Sequence, residues 1–174
     1  MREIHNTIRK SAVRSLLVLV IIVQVGSGQN KLPVFELNDL QNKRMTFKDI
    51  RGEHLTVIDF WATWCKPCAR AIPKLNDLAA DFKTDGVHFL GINVDSPRND
   101  PKVKPFVHTY NIRYPVLRDP NSEYASEVNI SGLPTLLIVN ADREILYIHR
   151  GYRPGDEKVI EEEIKKHLTS NEDE

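Results

Sequence analysis

The segment Leu55-Thr56-Val57-Ile58-Asp59-Phe60-Trp61-Ala62-Thr63-Trp64-Cys65-Lys66-Pro67-Cys68 changes its period halfway along. Up to Ala62 it is a continuous β-prone run, the pattern of a central strand covered on both faces. From Pro67 onward Ile72, Leu75, Leu78, Ala79 and Phe82 recur three or four apart, which places them on one helical stripe that ends near Gly86. A second apolar run, Val87-His88-Phe89-Leu90-Gly91-Ile92-Asn93-Val94, follows it. Strand, helix, strand in that order predicts a parallel βαβ unit with a right-handed crossover, and therefore an α/β protein.

On the N-terminal side, residues 29 to 54 are polar and turn-rich. Two short strands joined as a hairpin are expected there, at Leu32–Leu37 and Met45–Phe47. On the C-terminal side, the pattern between Asp95 and Pro134 predicts a helix over Lys102–Tyr110, a strand over Tyr114–Arg118 and a helix over Asn121–Val128. Leu136–Val139 and Glu144–His149 flank a polar turn and suit an antiparallel hairpin. A last helix follows Gly155, with Asp156 as its expected N-cap and Ile160, Ile164 and Leu168 on its buried face.

With 174 residues, 41% of them hydrophobic and 28% charged, the chain suits one domain with a core of its own, neither disordered nor stapled by many disulfides. Its 24 basic and 24 acidic residues cancel, so no overall positive field recommends nucleic acid as a partner. Residues 1–28 hold four basic residues and one acid, and then the apolar run Ser15–Val25 and Gly26-Ser27-Gly28. That is the order of a secretory signal, with cleavage expected after Gly28. At 11 residues the run is shorter than the roughly 20 needed to span a bilayer core, although an uncleaved short anchor tethering the protein through residues 15–25 is the alternative. Either reading exports a domain of residues 29–169, which ends in an acidic tail at 170–174. Export matters because a disulfide persists in an oxidising compartment.

Cys65 and Cys68 are the two cysteines of the chain. Three apart at the start of a helix, they face the same side at a separation that a disulfide can close, so the pair can alternate between dithiol and disulfide. Pro67 suits the first helical turn, where its missing N–H costs nothing. Cys65, at the positive end of the helix, is the expected nucleophile, and Lys66 beside it adds a screened positive charge. Cys68, one turn in, is the expected resolving thiol. The competing readings are a structural disulfide, half a zinc site and two core cysteines. A two-residue loop gives a structural disulfide little chain-entropy stabilisation, and no further cysteine or paired histidine completes a zinc site. Asp59 lies on the same strand face as Val57 and Trp61, where a carboxylate is costly unless it has a task. Burial would raise its pKa and make it a base for Cys68, whereas a wetter strand end would leave it without that role.

These residues resemble the thioredoxin superfamily. Val57–Cys68 looks like its strand-to-active-site stretch, and Ile130-Ser131-Gly132-Leu133-Pro134-Thr135-Leu136-Leu137 looks like its cis-proline loop and following strand. With Gly151 and the last helix, the resemblance covers about residues 30 to 168. The N-terminal hairpin, the inserted α/β segment and the export signal are more like the TlpA/ResA-type reductases. The resemblance implies a central mixed sheet with helices on both faces and no cofactor. It also implies reduction of protein disulfides in the periplasm or on the outer face of the cytoplasmic membrane, often those of apocytochrome c before haem attachment, and re-reduction by a membrane thiol-disulfide donor.

Carried over by residue, Cys65 and Cys68 match the redox pair, Pro134 the cis-proline and Asp59 the buried acid. Trp64, Leu133 and Pro134 would meet the substrate, with the backbone of Leu133 pairing to an extended strand. Lys66 and Pro67 would modulate the pair. One departure stands out: the ResA-type glutamate three residues after the second cysteine is Ala71 here, which leaves Asp59 to handle the proton. A peroxiredoxin-type peroxidase lacks support from its Pro-x-x-x-Thr-x-x-Cys signature, since Thr63 lies two residues before Cys65. A metal-handling module is a further alternative, although a copper chaperone of this superfamily would normally separate its cysteines by three residues.

Overall fold

A computed structural model describes residues 30–169, so the export segment expected at 1–28 and the tail at 170–174 lie outside the described residues. The chain runs β1 (Glu36–Asp39), β2 (Arg44–Thr46), α1 (Phe47–Ile50), β3 (Leu55–Trp61), α2 (Lys66–Asp81) and β4 (Val87–Asn93). It continues as α3 (Val103–Thr109), β5 (Val116–Arg118), α4 (Glu123–Glu127), β6 (Thr135–Asn140), β7 (Ile145–Arg150) and α5 (Asp156–Thr169). The strands form one mixed sheet in the order β2-β1-β5-β4-β3-β6-β7. β3 is parallel to β4, and β4 to β5; β3 is antiparallel to β6, and β6 to β7.

All seven residues of β3 are buried, which is why this strand reads as one continuous β-prone run. Leu55 and Val57 pack on one face with Ala71, Leu75 and Leu78 of α2 and Ile160 and Ile164 of α5. Ile58 and Phe60 pack on the other face with Phe47 and Ile50 of α1, Tyr124 and Ala125 of α4, and Leu32 and Phe35. Each fully buried Leu, Ile or Phe contributes about 1.5–3 kcal/mol, so the two layers together fix where β3 ends and α2 begins. Among the described residues no helix is long and apolar enough to cross a membrane.

The N-terminal hairpin exists with different strand boundaries from those the sequence suggests. Pro33 has no N–H to give to a ladder, and Leu32–Phe35 runs irregularly over the core, where Leu32 and Phe35 are buried. The strand starts at Glu36, and Asp39 accepts from the Gln41 and Lys43 N–H groups at 2.7 and 2.8 Å to shape the turn. Phe47 is not a strand residue but the first of α1, whose entry is set by Asp49 accepting from the Thr46 N–H at 2.8 Å.

Three further boundaries differ. β5 starts at Val116 rather than Tyr114, because Pro115 interrupts the N–H series. α4 covers only Glu123–Glu127, its start fixed by Asp119, which accepts from the Tyr124 and Ala125 N–H groups at 3.3 and 2.8 Å. Asp156 is the first residue of α5 rather than its N-cap: its carboxylate reaches backward to the Arg153 N–H at 2.7 Å. Pro73 lies inside α2 and does not end it.

Candidate active site

The chain leaves β3 through the buried Ala62 and reaches the surface at Trp64, and the turn to α2 is tied to the end of β4. Asp95, just past β4 and 1% exposed, accepts from the Thr63 N–H at 2.7 Å and from the Thr63 hydroxyl at 2.8 Å. Asn93 donates to the same carboxylate at 2.8 Å and accepts from the Asp95 N–H at 3.1 Å. The ends of the two parallel strands are thus joined through the Asp95 carboxylate at Thr63, two residues before Cys65. Sequence reading missed Asp95; the signal was an aspartate directly after a buried strand, a position at which a carboxylate must find donors. The same bonds commit the Thr63 hydroxyl to Asp95.

Cys65 is the N-cap of α2, with Lys66 and Pro67 in the first turn. Cys65 and Cys68 are joined by a disulfide with their Cα atoms 5.3 Å apart, inside the range that opens and closes with little backbone movement. The Cys65 sulfur accepts from the Cys68 N–H at 3.2 Å. On reduction that donor and the uncompensated helix N-terminus, which has no acidic residue in its first turn, favour a thiolate at Cys65. Cys65 is 5% exposed and Cys68 fully buried, so an incoming group reaches the first sulfur before the second. Lys66 is exposed, and Trp64 stands out from the surface at 62% exposure.

The Leu133–Pro134 peptide is cis, Pro134 is buried, and its carbonyl accepts from the Gly151 N–H at 2.8 Å. Leu133 packs on the cluster that holds Cys65, Cys68, Trp61 and Ala62. The loop before β6 and the first turn of α2 therefore meet at one end of the sheet. Ala71 is buried with Leu75 in the layer over Val57, so the position of the ResA-type glutamate is here part of the apolar core.

Asp59 sits on β3 between Val57, which packs under α2, and Trp61, which packs with Cys68. It is 2% exposed and neither oxygen closes a hydrogen bond. Burial pushes its pKa up to about 7, while the Tyr114 hydroxyl facing it draws the value partway back. Tyr114 is itself held well above its ordinary value by burial and then by the Asp59 charge, so it stays a neutral phenol. Trp61 Nε1 and the Tyr114 hydroxyl are likewise buried without a hydrogen bond, and Gly91 lies opposite Asp59 on β4. A Cβ on Gly91 would come within 2.8 Å of Trp61 Nε1 and 3.3 Å of the Tyr114 ring, so only glycine leaves room for this polar group. Sequence reading singled out Asp59 but neither Gly91 nor Tyr114; a glycine inside an otherwise apolar strand was the available sign of a close approach.

An acid with a pKa near neutrality on the strand that leads into a redox-capable cysteine pair can exchange a proton as the pair opens and closes. Comparison with known proteins bears on the family of the chain. The family model described as AhpC/TSA family matches residues 29–148. A thiol-disulfide oxidoreductase ResA of Bacillus thuringiensis subsp. konkukian is 31% identical over 134 residues, covering 77% of this chain and 75% of the relative. ResA of Geobacillus kaustophilus is 32% identical over 148 residues, covering 85% and 78%. Among solved structures, a putative thiol:disulfide interchange protein DsbE from Chlorobium tepidum superposes with a TM-score of 0.73 at 27% identity, over 80% of this chain and 96% of that one. The chain thus belongs to the AhpC/TSA family and, within it, to the thioredoxin-fold thiol-disulfide oxidoreductases of the ResA type.

Proposed function

We propose that this protein reduces disulfides of protein substrates outside the cytoplasm. The observation that carries the reading is the asymmetry of the pair: one sulfur reachable at a helix N-terminus, its partner buried beside the strand that bears Asp59. In the reduced enzyme the Cys65 thiolate attacks one sulfur of a substrate disulfide. That S–S bond breaks, a mixed disulfide forms, and the substrate's other sulfur leaves and takes a proton. Asp59 accepts the Cys68 proton, the Cys68 thiolate attacks the Cys65 sulfur, and the second substrate sulfur departs as a thiolate that takes up a proton, Asp59 returning the one it held. The enzyme ends as the Cys65–Cys68 disulfide described above, and two electrons from a membrane thiol-disulfide donor restore it.

A substrate strand meets Trp64 and the Leu133 side of the loop that the buried Pro134 shapes, and Lys66 and Pro67 tune the pair. The order of residues 1–28 supports export, by cleavage after Gly28 or by a tether through residues 15–25. The curated relatives bear the name ResA, and apocytochrome c cysteines are the substrate class that the resemblance suggests; with Ala71 in the core, Asp59 is the acid that serves them.

Cys68→Ser tests the order of attack, because it removes the resolving thiol and leaves the nucleophile. Incubated reduced with an oxidised protein substrate, it should accumulate a mixed disulfide through Cys65, visible on a non-reducing gel. Linkage through Cys68 in the Cys65→Ser protein, with none in Cys68→Ser, would reverse the assignment.

A further inference from the structure

Beside the cysteine pair lies a groove that shares Trp64 with the surface assigned to the substrate and runs from there along α3. Trp61, Phe106 and Tyr110 stack in series, their ring centroids 5.0 and 4.2 Å apart. The first ring is fully buried, the second half-buried and the third exposed, so the stack climbs from the core to the surface along α3. Trp64 forms the facing wall. Between them is an open groove of about 340 Å³, completed by Thr63 and Lys102. Lys102 is held in place by the Asn99 side chain, to which it donates at 2.9 Å. The volume lies at the low end of the roughly 300–1,000 Å³ of small-molecule sites, which suits one side chain better than a cofactor.

The position of the groove decides its occupant. Thr63 and Trp64, the two residues before Cys65, line the groove, so it begins at the chain segment that carries the nucleophile. A polypeptide that brings a sulfur to Cys65, advancing about 3.3 Å per residue, lays the side chains next to its cysteine over the groove. We propose that this groove is a specificity pocket for the substrate polypeptide, taking an aromatic side chain one to three residues from the cysteine that Cys65 attacks. Trp64 and Tyr110 clasp that ring as offset or edge-on partners. The inference rests on the reductase reading above and adds to it a class of substrate: disulfides with an aromatic neighbour.

The test uses synthetic peptides with one internal disulfide, identical except for Phe or Ser two residues from a cysteine, the position being placed before that cysteine in one pair and after it in the other. kcat/KM for their reduction by the protein should favour Phe by about tenfold in one of the pairs, the discrimination a single apolar contact supplies. In Tyr110→Ser the same ratio should fall to about twofold or below. Equal kcat/KM for Phe and Ser in both pairs would overturn the pocket and leave the reductase reading intact. A preference that survives in Tyr110→Ser would assign it to another surface and overturn the pocket as well. Failure to reduce any of the peptides would sink the reductase reading itself, and the pocket with it.

Discussion

Asp59→Asn changes one proton-binding group and almost no volume, so its effect on stability can be worked out. The carboxyl is 2% exposed, closes no hydrogen bond and has its pKa pushed from 3.8 up to about 7 by burial. Between those two values the folded protein keeps a proton that the unfolded chain has already released. Stability therefore falls as pH rises from about 4 to about 7 and is flat above that, as far as this group is concerned. The full displacement corresponds to about 4 kcal/mol, of which about 3 kcal/mol lies between about pH 5 and about pH 8.5. An amide titrates nowhere in that range. Urea unfolding of the oxidised protein reads the difference: the stability of Asp59→Asn relative to the parent should grow by about 3 kcal/mol from about pH 5 to about pH 8.5, whatever constant offset the amide brings. In the reduced protein, the same change should abolish a pH step near neutrality in the rate at which Cys68 resolves a mixed disulfide. A stability difference that is constant across the range would mean that Asp59 titrates as an ordinary carboxylate, and the proton-transfer role would fall with it.

Two further substitutions test the supports of the site. Asp95→Ala removes the acceptor of the Thr63 N–H and hydroxyl and of the Asn93 amide. Loss of these charge-assisted bonds should cost about 2–4 kcal/mol in thermal unfolding and open the Thr63–Trp64 turn to limited proteolysis; an unchanged Tm would refute the clamp. Gly91→Ala forces a Cβ to within 2.8 Å of Trp61 Nε1, and overpacking of this kind should cost about 1–3 kcal/mol. Its chemical denaturation midpoint should drop, and a neutral result would mean that the Asp59–Trp61–Tyr114 group has slack.

What the sequence disclosed was what depends on local period and on chemistry concentrated in few residues. β3 and α2 were legible because a continuous β-prone strand and a three-to-four stripe meet at Cys65, and the cysteine pair needs no more than their junction to make its point. The N-terminal hairpin was legible only as a pair of strands: Leu32 and Phe35 are apolar enough for a strand, but the core they fill comes from Ile58, Phe60 and Tyr124, which no local window contains. The same limit hid Asp95, whose partner Thr63 is 32 residues away, and Tyr114, which meets Asp59 only once β5 is laid beside β4. Asp156 shows a subtler failure, since an acid after glycine at a helix start reads as a cap whether its carboxylate turns forward or, as here, back to Arg153. Pro73 warns in the opposite direction, because a proline about two turns into α2 did not end a helix anchored by buried residues on both sides of it.

The direction of electron flow is the centre of the account, and the equilibrium reduction potential of the Cys65–Cys68 couple tests it most directly. Titration of the protein against a redox buffer, followed by thiol alkylation, gives the value. Disulfide-exchange proteins of this chemistry span roughly −270 mV for strong reductants to −120 mV for strong oxidants, a range of about 7 kcal/mol for two electrons. The account predicts a potential near the low end, about −250 mV or below, as a reductant recharged by a membrane donor requires. A value near −120 mV would contradict it: the pair would then donate disulfides to its substrates rather than remove them.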